Sequence, residues 1–420
     1  MPSLPRRPKL PKLPLMDRWR ALSASRRSML VITFFALVAV TWPWWRPTSA
    51  GIPLITEFPT INTGVIMVVY AIMAVGLNIV VGYAGLLDLG YVAFYAMGAY
   101  TAGWFASLQF SQVNFHLWST ALPATAGFHI SIWIILVIAG LGTALIGILI
   151  GLPTLRLRGD YLAIVTLGFG EILPQVARNG DKLGGFNLTN GPNGITPIDA
   201  PGFPGLSHVT GGLLPGSFLD VTNRDYAYYW AALVLLAITI FTSLRLRDSR
   251  LGRAWIAIRE DETAAAAMGV PLMRTKTWAY ATGAFFGGVA GAYFASFKSS
   301  TFPGDFSFNI SAFILSMVIL GGMGNVWGVI FGAFFLSWLN QEGLANISHS
   351  INATLGTSFD GPKYSAGIFG LILVVTMLVR PEGLIPSARR KAELHEGVHE
   401  EYLYDIEHGA RIYDEQGPEE

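Results

Sequence analysis

Asp88 and Glu171 stand inside long apolar runs, and Asp160 and Glu342 stand at the edges of such runs. A carboxylate in that setting can carry a proton or hold a cation on its way across a membrane, because burying its charge is costly unless it faces water or a partner. So few of them count against a carrier that powers itself by proton or sodium coupling. No G-x-x-x-x-G-K-S/T loop is present to cradle a nucleotide phosphate, so any ATP would be handled by another chain. The absence of cysteine removes disulfides, thiolate catalysis and cysteine-held metals. His395 and His399 have the i, i+4 spacing of a metal pair, but within the acidic stretch "HEGVHEEYLYDIEH" they read as a solvated tail. The chain is expected to do no covalent chemistry and to need no metal and no cofactor.

Two stretches have a composition that a plain membrane helix does not need. The first is "SRLGRAWIAIREDETAAAAMGV", Ser249 to Val270, charged and alanine-rich between greasy neighbours. Glu260, Asp261 and Glu262 put negative charge where a helix begins, Ala264 to Ala267 are the strongest helix formers, and Gly269 with Pro271 ends the pattern. This predicts a helix of about two turns over 260–269. So short a helix is marginal in water and needs something to pack on it. It is either a structural loop helix or a docking element that passes mechanical work from a soluble partner to a membrane bundle.

The second is "GYAGLLDLGYVAFYAMGAY", Gly82 to Tyr100, with glycines at 82, 85, 90 and 98 around Asp88. Small residues can serve close helix packing. They can also mark a helix broken at membrane depth, whose freed backbone groups line a polar cavity. On the second reading Gly82, Gly85, Asp88 and Gly90, with Thr166 and Glu171, are the candidate lining of a translocation pathway. Asp88 is alternatively a residue of the cytoplasmic edge. A second glycine run, "GGMGNVWGVIFGAFF" over 321–335, suggests a weak internal duplication.

The elements that must hold these groups are membrane helices. Hydrophobic residues make up 52% of the chain and charged ones 13%, and several segments run long enough without charge to cross a hydrocarbon layer of ~30 Å. Candidate spans are 29–45, 64–82, 88–108, 129–151, 161–177, 226–244, 277–297, 309–322, 326–343 and 365–380. The fold class expected is an all-α polytopic transmembrane bundle of about 8–10 spans, with room for broken or re-entrant helices. Residues 1–28 form a basic arm; the apolar run after it continues into Trp42, Trp44 and Trp45 with no cleavage pattern, as a first span rather than a signal peptide. The body is 29–386, with an external loop at 178–225 rich in Gly, Pro and Asn. The loop 245–276 holds Arg245, Arg247, Arg250, Arg253, Arg259, Arg274 and Lys276, and the tail begins with Arg380, Arg389, Arg390 and Lys391. The positive-inside rule puts both in the cytoplasm with the N-terminus. An acidic tail, 387–420, follows.

The chain resembles the LivM-type permease family of branched-chain amino acid ABC transporters. The stretches that carry the resemblance are "VGYAGLLDLGYVAFYAMGAY" (81–100), "LPTLRLRGDYLAIVTLGFGEIL" (152–173), "GPNGI" (191–195), "LGRAWIAIREDETAAAAMGV" (251–270), "ILGGMGNVWGVIFGA" (319–333) and "RPEGLIP" (380–386), in family order over about 60–386. The resemblance implies one permease subunit of a bacterial inner-membrane importer for leucine, isoleucine and valine. It would work with a sister permease, two ATP-binding subunits, a periplasmic binding protein and membrane lipid, and with no nucleic acid. It also makes 249–270 the coupling segment, with Gly252, Arg253, Arg259, Glu260, Glu262, Ala264, Ala265 and Gly269 as contact candidates. In the general importer motif the acid and the glycine are one residue closer than Glu262 and Gly269 are here. The rival within this group is a urea or short-amide permease; the rival outside it is a self-contained channel or secondary carrier.

Overall fold

The computed structural model describes residues 59–119, 124–157, 160–182, 184–201, 224–356, 358, 360–380 and 382–385, together with Thr33 and a helical stretch at 36–43. The chain divides into two compact units; the stretch at 36–43 belongs to the first, and everything from 59 onward to the second. The basic arm 1–28, residues 202–223 of the external loop, and the tail 387–420 with His395 and His399 lie outside the described residues.

The second unit is a helical bundle. Its helices are α1 (Ile61–Asn78), α2 (Val92–Phe105), α3 (Ile132–Thr154), α4 (Asp160–Arg178), α5 (Arg224–Asp248), α6 (Arg250–Glu260), α7 (Glu262–Ala267), α8 (Leu272–Lys298), α9 (Phe308–Gly321), α10 (Val326–Trp338), α11 (Leu344–Leu355) and α12 (Ser365–Val379). Five helical segments among the described residues are long and apolar enough to cross a membrane: Ile61–Tyr83, Ile132–Thr154, Arg224–Asp248, Pro303–Gly321 and Pro362–Val379. The expected all-α polytopic class holds. One small addition went unforeseen, a three-stranded sheet of β1 (Ala106–Ser107), β2 (Asn114–Leu117) and β3 (Gly127–Ile130), in which β3 is central, antiparallel to β1 and parallel to β2.

Lipid is as apolar as leucine, so membrane helices associate through close packing rather than hydrophobic burial, and small residues permit it. α8 is the centre, packed along α3 and α2 and against α1. Side chains added at Gly98 of α2 and Gly291 of α8 would collide with the carbonyls of Gly288 and Tyr95, and one at Gly288 with Thr143 of α3. The glycines therefore let the three backbones touch. Around them Tyr91, Tyr228, Tyr280 and Tyr293 are buried, and each phenol that must be satisfied finds a partner: Tyr91 donates to the Gly283 carbonyl at 2.9 Å and Tyr228 to the Ser296 carbonyl at 3.0 Å. α4 and α12 are peripheral, turning Tyr161, Ile164 and Ile172, and Leu371, Leu378 and Val379, outward.

Contacts at the helix ends fix which loops share a side. Arg259 meets Gly82, and the Gly324 amide donates to Asn78 Oδ1 at 2.8 Å, so the loop around α6 and α7 shares one end of the bundle with the connections 84–91 and 322–325. Residues 382–385 arrive there too. The amides of Leu384 and Ile385 donate to the last-turn carbonyls of α9, Leu320 at 2.9 Å and Gly321 at 3.1 Å, which the helix itself cannot satisfy. At the opposite end Glu342, in the π-helical turn that follows α10, accepts from the Thr60 amide at 2.9 Å and the Thr63 hydroxyl at 2.6 Å, fastening the start of α1. The sheet and residues 184–201 also lie at this second end, where Asp199 Oδ2 meets His129 Nδ1 at 2.7 Å. Burial raises the Asp199 carboxyl above its ordinary range, an effect that His129 beside it only partly offsets.

Candidate functional site

The loop after α5 is two helices, not one. Ser249 caps α6, its hydroxyl accepting from the Gly252 amide at 3.2 Å. Inside α6 the fully buried Trp255 donates its indole N–H to the Thr275 carbonyl at 2.8 Å, and Ile258 is buried as well, which pins α6 to the first turn of α8. Asp261 then breaks the helix with an extended backbone and caps α7, its Oδ1 accepting from the Thr263 amide at 2.8 Å, the Thr263 hydroxyl at 2.6 Å and the Ala264 amide at 3.0 Å. These donors, the Thr263 hydroxyl foremost, hold the Asp261 carboxyl below its ordinary range. Gly269 closes α7 with φ +85°, a backbone open to glycine, and nothing stands where a side chain there would point. The expected helix over 260–269 is thus shortened to Glu262–Ala267, and Glu260 ends α6 instead of starting α7.

α7 buries Ala265 and exposes Ala264, Ala266 and Ala267, with Met268 at 85% exposure beyond them. Six residues of helix cannot hold themselves in water. They are held by the Asp261 cap, by α6 on one side and by Pro271 and α8 on the other, and so present a small, flat, rigidly mounted surface.

Not every residue expected to face a partner does so. Ala264 and Gly269 are exposed, as are Arg253 and Glu260. Arg253 also donates to the Asp248 carbonyl at 3.0 Å, tying α6 to the end of α5. Gly252 and Ala265 are buried, Gly252 because a side chain would collide with the carbonyls of Leu246 and Arg247. Glu262, a contact candidate, instead has its Oε1 2.8 Å from Nζ of Lys276, itself only 4% exposed. A buried ammonium needs such a counter-charge, and the carboxylate is committed within the chain. Arg259 points inward too, donating from Nη1 to the Gly82 carbonyl at 2.5 Å.

The glycine-rich stretch is not a helix broken halfway. α1 passes into a π-helical turn, Ile79–Tyr83, and residues 84–91 are a connection to α2 at the end of the bundle. Asp88 is 1% exposed, so it is neither a cheap solvated edge residue nor mid-helix. Its Oδ1 accepts from the Gly90 amide at 2.8 Å, and the next amide, Leu89, donates to Thr166 Oγ1 at 3.0 Å. A side chain at Gly90 would collide with the Thr166 carbonyl. Thus Asp88, Gly90 and Thr166 meet where the connection 84–91 packs on α4, whereas Gly82 and Gly85 lie against Arg259. Glu171 does not join them: it is exposed on the outer face of α4, in a shallow groove with Ile172, Gln175, Val176 and Asn179.

Two participants went unnoticed in the sequence. Asn78 is wholly buried and reaches from α1 to Gly324; an amide inside "AVGLNIVVGY" is an intramembrane polar residue, and that was a signal. Lys276 was counted only as loop charge, and nothing in the sequence marks it as buried.

A helical bundle with five segments long and apolar enough to cross a membrane has the architecture of a multi-pass membrane protein. The family described as branched-chain amino acid transport system / permease component matches residues 60–377, and the chain belongs to that family. It is 36% identical over 381 residues to the high-affinity branched-chain amino acid transport system permease protein LivM of Escherichia coli K12, an alignment covering 89% of this chain and 78% of that one. It is 26% identical over 335 residues to the probable LivM permease of Methanocaldococcus jannaschii, covering 76% of this chain and 90% of that one. The high-affinity branched-chain amino acid transport system permease protein LivH of Salmonella typhimurium is 23% identical over 318 residues, 75% of this chain and 91% of that one. No solved structure matches the chain significantly. As a member of this family the chain is a transport component and not an enzyme.

Proposed function

We propose that this chain forms half of the translocation pathway of an ATP-driven importer for leucine, isoleucine and valine in a bacterial inner membrane. A sister permease supplies the other half, two ATP-binding subunits drive the cycle, and a periplasmic binding protein delivers substrate. α7 is the surface on which an ATP-binding subunit docks, and Gly82, Gly85, Asp88, Gly90 and Thr166 border the pathway.

The observation that carries this is the mounting of α7: a short, capped helix, exposed on Ala264, Ala266, Ala267 and Met268, joined through Trp255 to the central helix α8. A push on such a helix reaches the bundle, whereas a floppy loop would absorb it. The arginines of 245–276 and of the tail start support cytoplasmic placement of this end and of both termini. The family and relatives named for branched-chain amino acid transport support that substrate over urea or short amides, and support an ATP-driven permease over a self-contained channel or carrier.

The test is saturable uptake of labelled leucine in cells lacking their own importer and supplied with this chain and the genes beside its own. Leucine uptake competed by isoleucine and valine, and untouched by urea or acetamide, is the expected result. Uptake of urea without leucine would overturn the substrate. Sidedness is read separately: a cysteine at Ser249 in this cysteine-free chain should resist an impermeant thiol reagent in intact cells, and labelling there would invert the topology.

A further inference from the structure

Arg259 is the penultimate residue of α6, two places before the residue that caps α7. Its Nη1 donates to the carbonyl of Gly82, in the turn where α1 ends and its carbonyls lack following amides to accept from. A cation at a helix C-terminus is also favoured by the helix dipole. Gly85, with φ +69°, lets the arginine stem lie across it; a side chain there would come to 2.8 Å from Cγ. The turn between α9 and α10 lies beside this contact: a side chain added at Gly324 would come to 3.3 Å from the same Nη1 and 3.5 Å from the Gly82 carbonyl. Gly324 in turn donates its amide to Asn78 Oδ1 of α1 at 2.8 Å. One side chain of the docking loop is therefore bonded to the Gly82 turn and sits beside the Gly324 turn, and Asn78 ties those turns to each other.

We propose that Arg259 is a positioning residue that carries movement of α7 into the bundle: it holds the α1–α2 turn at Gly82 to the docking loop, and Asn78 carries the α9–α10 turn at Gly324 with it, so that displacement of α7 moves both turns together. The claim rests on the proposed function, since it presumes that α7 is driven by an ATP-binding subunit. Arginine suits the place because its planar head fixes the geometry of its contact at Gly82, which a lysine's single nitrogen does less well. Arg259 lies behind the docking surface and Glu262 is spent on Lys276, so the coupling residue in this sense is an inward-facing one.

The experiment uses the full complex in lipid vesicles and measures two rates side by side: binding-protein-stimulated ATP hydrolysis and solute uptake. Arg259→Gln should leave the ATP-binding subunits attached and hydrolysis within about 2-fold of the parent, while uptake per ATP falls at least about 10-fold. Arg259→Lys should fall between. Asn78→Leu, which disconnects Gly324 from the other side, should lower uptake per ATP in the same way, and Asn78→Asp, which keeps the acceptor, should retain most of it. A merely structural role would lower both rates in proportion to the folded complex recovered. An unchanged ratio in Arg259→Gln overturns the proposal, and so does loss of the ATP-binding subunits from that variant, which would make Arg259 a partner contact. Should Arg259→Gln not fold, Asn78→Leu decides by the same ratio. If the parent complex moves a solute other than leucine, the substrate reading fails, and the ratio is measured with that solute.

Discussion

Replacing Glu262 by Gln is expected to weaken the bundle rather than the docking surface. Lys276 keeps 4% of its side chain exposed and Glu262 31%, with Nζ 2.8 Å from Oε1. Unit charges at that separation attract by about 6 kcal/mol at an effective dielectric near 20. Removing water from the lysine offsets several kcal/mol of this, and the part of Glu262 that stays wet screens the pair further. The amide of Gln still offers the ammonium one oxygen, so the net loss should be about 1–3 kcal/mol. A chain of this size loses roughly 1 °C in midpoint per kcal/mol, which gives a fall of about 1–3 °C. Lys276→Met removes the buried charge at similar length, so the double variant should be no less stable than Glu262→Gln alone, with a coupling of about 1 kcal/mol or more between the sites. Thermal unfolding of the four proteins in detergent measures this, and co-purification of the ATP-binding subunits is followed in parallel. An unchanged midpoint for Glu262→Gln, together with loss of those subunits, would show that the carboxylate serves a partner and refute the reasoning.

Gly90→Leu should abolish uptake and lower stability by about 1–3 kcal/mol or more, since the side chain must displace the Thr166 carbonyl. Gly168→Leu, at a position with nothing within 4 Å, should do neither, and equal damage from both would remove the close contact as the cause. Glu342→Ala should cost about 1–2 kcal/mol by orphaning the Thr60 amide and the Thr63 hydroxyl, read as a lower unfolding midpoint, with Glu342→Gln losing less. Asp261→Ala should loosen α7, seen as faster hydrogen exchange at 263–268 after correction for intrinsic rates, while Asp261→Asn keeps the cap. The folded Asp261 carboxyl is held below its unfolded value of ~3.9, so its contribution is complete above that pH and is lost only as pH falls through the depressed value. Between pH 8 and pH 5 exchange at α7 should therefore show no change from this group.

The membrane helices were legible because a charge-free apolar run admits little else, and "EDETAAAAMGVP" announced a capped helix through composition alone. The joint at Asp261 was not, because three consecutive acids suit one helix start equally well, and only the backbone turn shows that Glu260 lies before the break. Glu262 and Arg259 look alike in the sequence, two charges in a polar loop, yet both turn inward. Their partners Lys276, Gly82 and Gly324 are brought near by the packing of α1, α8 and the α9–α10 turn, which no local pattern encodes. Glu171 stands apart: nothing in the apolar run around it shows that α4 is peripheral in the chain and that the carboxylate lies on its exposed outer face.

The central claim is that ATP hydrolysed on other subunits drives branched-chain amino acids through a pathway to which this chain contributes half. Its most direct test is leucine accumulation in vesicles that hold the purified complex of this chain, the sister permease and the ATP-binding subunits, with binding protein and labelled leucine on the side opposite the nucleotide. The account predicts uptake against a gradient that needs both ATP and binding protein, stops with a non-hydrolysable analogue, and disappears when this chain is left out. Leucine flux through this chain alone, running only down its gradient and indifferent to ATP, would contradict it.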